Sequence, residues 1–91
     1  MIVRDVEYEG GARATLERDS KYSPWAFTCG VYGLGVHSAY FESEPTAQKA
    51  FAELLPMLAE AHDALPDADV PAAELDWSAA SALLRRIAER F

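Results

Sequence analysis

A stretch of twenty residues without an acidic or basic side chain other than one histidine, from Tyr22 to Phe41, restricts the fold of this chain more than any other feature. Segments 25–32 and 36–42 are rich in aromatic and β-branched residues, which favour strands. Gly33-Leu34-Gly35 between them permits a tight reversal of the chain. The pattern predicts two antiparallel strands. Because both segments lack charge as far as Phe41, we expect the first of them to be central, with both faces covered by helices or by a second subunit.

The N-terminal segment predicts two more strands. Residues 2–9 and 12–18 alternate between apolar and polar side chains, a period of two that is typical of strands with one buried face. Gly10-Gly11 between them predicts a two-residue hairpin turn with positive φ at both glycines. The four strands are therefore expected to form an antiparallel meander.

A helix is predicted over residues 44–65. Ser43 is suited to cap it, and Pro45 is tolerated in the first turn because no hydrogen bond is lost there. Apolar residues at helical spacing cover about half of the helix circumference, which is wider than a minimal core stripe. Pro56 lies inside the helix and is expected to bend its axis.

A second helix is predicted over residues 77–91, capped by Asp76 and carrying apolar residues at helical spacing. An alternative start near Pro71 stays open at this stage. The predicted fold is α+β, with a four-stranded antiparallel meander followed by two helices. The length of 91 residues fits a single domain spanning residues 1–91.

Charge and composition exclude some classes of function. The formal net charge of −7, from fifteen acids against eight bases, disfavours nucleic-acid binding and makes a basic protein partner easier to accommodate. A lone cysteine and a charged N-terminal segment favour a cytoplasmic protein without a secretory signal. The glycines, histidine and hydroxyl side chains of the uncharged stretch argue against a membrane span, so no membrane association is expected.

Cys29 and His37 are the one pair that suggests thiolate chemistry, since a nearby imidazole lowers the pKa of a thiol and acts as a base. Their geometry depends on the intervening turn. A two-residue loop, Gly33-Leu34, places Gly30 opposite His37 and sends the thiol and imidazole to opposite faces. A three-residue loop places Val31 opposite His37 and puts both groups on one face as a diagonal pair. The structural interpretation, in which Cys29 is a small buried apolar residue without a chemical role, is favoured.

Metal and cofactor sites have little support in the sequence. A metal site would draw on Cys29, His37, His62 and an acid, but no Cys-x-x-Cys, His-x-x-x-His or His-Glu-x-x-His spacing occurs. The glycines lie between two strands rather than between a strand and a helix, so they do not form a phosphate-binding loop. No metal and no cofactor are therefore expected.

The run Thr28-Cys29-Gly30-Val31-Tyr32-Gly33, followed by His37 and Tyr40-Phe41, resembles small bacterial proteins of unknown function. This resemblance covers about a fifth of the chain. It implies a compact bacterial protein and no particular activity.

The leading functional hypothesis is a binding module that self-associates, most simply as a homodimer, because of the uncharged strands and the wide apolar arc of the first helix. One alternative is a small-ligand-binding protein or enzyme that uses Cys29 and His37. Another is an acidic inhibitor or immunity-type protein that masks a basic partner. The candidate interface residues are Trp25, Phe27, Tyr32, Tyr40, Leu55 and Met57.

Overall fold

A computed structural model describes residues 1–20, 23–66 and 76–91. The predicted α+β fold is confirmed: a four-stranded antiparallel sheet is followed by two helices. The boundaries fall within two residues of those predicted. In chain order the elements are β1 (Ile2–Tyr8), β2 (Ala12–Arg18), β3 (Trp25–Val31), β4 (Gly35–Phe41), α1 (Glu44–Asp63) and α2 (Ser78–Arg90).

The sheet has two chemically different faces because successive side chains of a strand point in opposite directions. The strands lie in the order β1-β2-β3-β4. One face, which we call the core face, packs against both helices through buried side chains such as Leu16, Phe27 and Val31. The opposite face, which we call the open face, carries Asp5, Arg13, Thr28 and Val36 among its exposed residues.

The first hairpin differs from its prediction. Tyr8 pairs with Ala12, so the loop has three residues, Glu9-Gly10-Gly11, rather than two. Positive φ occurs at Glu9 and Gly10, and not at Gly11. Gly11 is required for a different reason, since a Cβ there would lie 2.5 Å from Cδ2 of His62. Gly11 therefore allows α1 to approach the hairpin closely and is not needed for the conformation of the turn.

Helix α1 lies across the middle of the core face. Ser43 is at its N-cap, but the Ser43 hydroxyl donates to Thr46 Oγ1 at 2.9 Å instead of capping the backbone. Pro45 is in the first turn and Pro56 is inside the helix, as predicted. The Tyr8 hydroxyl donates to the Leu55 carbonyl at 3.2 Å and links β1 to this helix.

Helix α2 packs against α1 and completes the core. The Asp76 carboxylate accepts hydrogen bonds from the Ser78 backbone N–H and hydroxyl, which satisfies part of the helix N-terminus. Ile87 is fully buried, and Arg90 forms a 2.6 Å ion pair with Glu53 of α1. The alternative start near Pro71 falls outside the described residues. Within the described part of the chain, neither helix is long and apolar enough to cross a membrane.

Candidate functional site

Cys29 and His37 are direct cross-strand partners on the core face. Neither register considered from the sequence is correct: Gly30 pairs with Val36, and Val31 pairs with Gly35. The reason is that the chain leaves β3 one residue earlier than expected. The reversal is the three-residue loop Tyr32-Gly33-Leu34, with φ of +87° at Gly33 and a hydrogen bond from Leu34 N–H to the Val31 carbonyl.

The surroundings of Cys29 oppose thiolate chemistry although His37 lies opposite. The Cys29 side chain is only 1% exposed. Burial raises the pKa of the Cys29 thiol to about 11, and a hydrogen bond with the backbone of His37 opposes that rise without cancelling it. A buried thiol with a raised pKa is protonated at neutral pH and is a poor nucleophile. The two residues are therefore paired across the strands, but the thiol is not activated as a nucleophile.

His37 lies at the outer margin of the core face, beside α2. Its Nε2 atom is buried and has no hydrogen-bond partner among the described residues. The side chain lines a groove of about 290 Å³ between β4 and α2. The other lining residues are Leu34, Gly35, Val36, Ser81, Leu84, Arg85 and Ala88.

Metal ligands are not gathered in the described ranges. Residues 1–20, 23–66 and 76–91 contain no group of three or more His, Cys, Asp or Glu side chains placed to hold a metal ion. His62, the third candidate ligand, lies on α1 against Tyr8, with ring centroids 5.9 Å apart. Its Nδ1 is 3.4 Å from the Asp63 carboxylate.

The six candidate interface residues are distributed between the core and the surface. Phe27 is fully buried at the centre of the core, so it is not part of an accessible surface. Trp25, Leu55 and Met57 are partly buried and pack against the core. Only the two tyrosines are well exposed, Tyr32 by 47% and Tyr40 by 54%.

Val36 is the prominent surface residue that the sequence analysis missed. It is 80% exposed, more than any other large apolar side chain among the described residues. Its Cγ1 atom occupies the space above Gly30, where an added Cβ would lie 2.9 Å away. This contact explains why a glycine is suited to the middle of β3. The sequence did contain one signal for this position. Val36, Ser38 and Tyr40 are every second residue of a strand without charge, so they lie on the same face.

The open face divides into a charged half and an uncharged half. On β1 and β2, Arg13 binds Asp5 through two hydrogen bonds of 2.9 and 2.6 Å, and this contact lowers the pKa of the Asp5 carboxyl. On β3 and β4 the open face carries no charged side chain. We call this half the uncharged strip, and its residues are Ala26, Thr28, Gly30, Val36, Ser38 and Tyr40.

No protein-family model, curated protein or solved structure matches this chain.

Proposed function

We propose that this protein is a binding module that self-associates, and that two copies meet through the uncharged strip. The observation that carries this proposal is the exposure of Val36 and Tyr40 on a sheet region without charge. Exposed apolar side chains that are contiguous mark interaction surfaces more often than scattered ones do. Thr28 on the same face is also exposed, whereas Ala26 and Gly30 are buried.

The charge distribution supports a second copy as the partner. In a symmetric dimer, residues near the two-fold axis meet their own counterparts, so a charged residue there would face its own charge. Each copy carries a net charge of −7, which makes such repulsion severe over most of the surface. The uncharged strip avoids this repulsion. A basic partner would instead be expected to contact the acidic surface. Only the net charge supports a partner of that kind.

The enzymatic alternative has weaker support. Cys29 is buried beneath the helices and its raised pKa disfavours the thiolate. His37 has no acidic side chain bonded to it among the described residues, so nothing there orients or activates the imidazole as a general base. The open face is the more favourable location for function.

Sedimentation equilibrium across protein concentration tests the proposal. We expect a species of twice the 10.0 kDa chain mass at micromolar concentration, with dissociation on dilution. Val36→Lys is expected to raise the dissociation constant about tenfold or more, because it places an ammonium group in the contact.

Val3→Lys is the matched control. Val3 is also exposed, but it lies on β1 at the other edge of the sheet. Its substitution should leave the dissociation constant unchanged. A monomer at all concentrations up to about 100 μM, or equal weakening by both substitutions, would contradict the proposal.

A further inference from the structure

Helix α2 leaves an open groove between itself and β4. It packs closely on α1 and much less closely on β4, so a space of about 290 Å³ remains between helix and strand. The α2 residues that line this space are Ser81, Leu84, Arg85 and Ala88. Their spacing along the helix places them on one face. A single face of α2 is therefore turned towards β4 across the groove.

Three polar groups of this groove lack partners in the described part of the chain. The Ser81 hydroxyl makes no hydrogen bond there, and the Arg85 guanidinium makes no ion pair. The Nε2 atom of His37, which lines the groove from β4, is buried and unpaired. Buried polar atoms without a partner are rare, because leaving one unpaired costs free energy. All three groups are thus available to a ligand.

Apolar side chains form much of the remaining wall. Leu84 contributes from α2, with its Cδ2 atom 3.9 Å from the position that a Cβ on Gly35 would occupy. Leu34, in the loop before β4, and Val36 also line the groove. Among the described lining residues none is Asp or Glu, so Arg85 makes the groove locally positive. Apolar walls with a few convergent polar groups are typical of small-molecule sites.

We propose that this groove binds a small organic acid with one carboxylate and a compact apolar body. The planar guanidinium of Arg85 holds the carboxylate through two parallel hydrogen bonds. Ser81 lies one turn from Arg85 on the same helix face, so its hydroxyl donates to the same carboxylate. The apolar body contacts Leu34 and Leu84. This site goes beyond the proposed self-association and does not depend on it.

His37 supplies a further hydrogen bond to the acid. Its Nε2 atom is covered in this structure, but the torsion about the Cβ–Cγ bond of a histidine is broad, so the imidazole can turn Nε2 towards the groove. An Nε2–H then donates to a carboxylate oxygen and gains the partner that it lacks among the described residues. This role needs neither an activated base nor a thiolate, so the protonated Cys29 does not oppose it.

Size and charge restrict the kind of acid. A volume of about 290 Å³ equals that of about ten water molecules in the liquid, which suits a single ring better than a peptide or a nucleotide. The groove offers one guanidinium, whereas the chain as a whole carries a net charge of −7. A singly charged anion is therefore favoured over a multiply charged one.

Titration with benzoate tests the site. Calorimetry and ¹H–¹⁵N NMR at fixed protein concentration should give a dissociation constant on the order of 1 mM, as expected for so small a ligand. The amide shifts should centre on residues 34–37 and 81–88. Benzamide has nearly the same shape without the charge and should bind at least tenfold more weakly. Inorganic phosphate that binds as tightly as benzoate would contradict the proposed ligand class.

Arg85→Gln should weaken benzoate binding at least tenfold, because it removes the charged, bidentate partner of the carboxylate. Arg86→Gln is the matched control: it makes the same change of charge on the same helix, but Arg86 does not line the groove. Its dissociation constant should change less than twofold. Circular dichroism and thermal unfolding establish that both variants fold. Equal weakening by the two substitutions would mean general attraction to positive charge and would overturn the site.

The side-chain nitrogens of the two histidines report on His37 directly. Saturation with benzoate should shift the ¹⁵N resonance of His37 Nε2 in long-range ¹H–¹⁵N spectra, whereas the resonances of His62, which lies against Tyr8, should not move. Benzoate binding without a response of His37 overturns the proposed geometry. Absence of binding by both benzoate and cyclohexanecarboxylate up to about 20 mM, well above the expected dissociation constant, overturns the site altogether.

Discussion

Cys29 illustrates how a residue can occupy a suggestive position and still lack the properties that its chemistry requires. It lies opposite His37, yet its pKa is raised to about 11 because the thiolate would be buried among apolar side chains. Sequence proximity and cross-strand pairing are therefore not sufficient for an activated nucleophile. The desolvation of the thiol decides its chemistry.

The raised pKa predicts a loss of stability at alkaline pH. The ordinary thiol pKa is 9.0 and the folded value is about 11, so the contribution of Cys29 is complete below pH 9 and is lost as pH rises toward 11. The loss amounts to about 2 to 3 kcal/mol. Urea unfolding between pH 8 and 11, at fixed protein concentration, measures it. Cys29→Ala should lose less stability over the same window; equal pH dependence of the two proteins would show that the thiol does not contribute.

Gly11 predicts a specific steric coupling. Gly11→Ala would place a Cβ 2.5 Å from the ring of His62 and is expected to destabilise the protein by about 1 to 3 kcal/mol. Adding His62→Ala should recover part of that loss. At Gly10 nothing lies within 4 Å, but φ is +73°, so Gly10→Ala is destabilising through the backbone. His62→Ala should not rescue Gly10→Ala, and chemical denaturation of the double-mutant sets measures both couplings.

Among the elements, α2 depends on few buried side chains. Ala80 and Ile87 are its only fully buried residues in the described part of the chain. Leu83 and Leu84 are partly buried against the core. The helix therefore docks mainly through Ile87, which predicts a strong effect of shortening that side chain.

Ile87→Ala is expected to lower the free energy of unfolding by about 3 kcal/mol, and Ile87→Val by about 1 kcal/mol. The reason is the cavity that a smaller side chain leaves at a fully buried position. Thermal and urea unfolding measure both variants. Equal, small effects would mean that α2 contributes little to the core.

The strands and helices follow from local pattern, whereas the registers do not. Alternation in β2 and helical spacing in α1 each require only neighbouring residues, so the elements are predictable. Hairpin loops of two and of three residues are both common, so the local sequence does not determine that Tyr32 leaves its strand or that Glu9 joins the first loop. Phe27 and Tyr40 lie in the same uncharged stretch. Only the register of the strands determines that the ring of Phe27 is buried and that of Tyr40 is exposed. The pairing of Cys29 with His37 was unpredictable for the same reason.

For the whole molecule, net charge predicts how self-association responds to salt. Two copies of a chain with a net charge of −7 repel each other, and the uncharged strip reduces but does not remove this repulsion. Raising the NaCl concentration from 50 to 500 mM should therefore lower the dimer dissociation constant roughly threefold to tenfold. Sedimentation equilibrium at several salt concentrations measures the trend. Weakening with added salt would indicate attraction between opposite charges instead, as expected for a basic partner.

The three-residue loop Tyr32-Gly33-Leu34 has a consequence for how such a protein tolerates changes in length. Because side chains alternate along a strand, deleting one loop residue forces β4 either to slip along β3 or to rotate by half a turn. A rotated β4 would expose His37 and Ala39 and send Val36 toward the helices. One codon gained or lost in this loop would thus exchange the outer surface of the strand for its inner one, without any change in the residues of the strand itself.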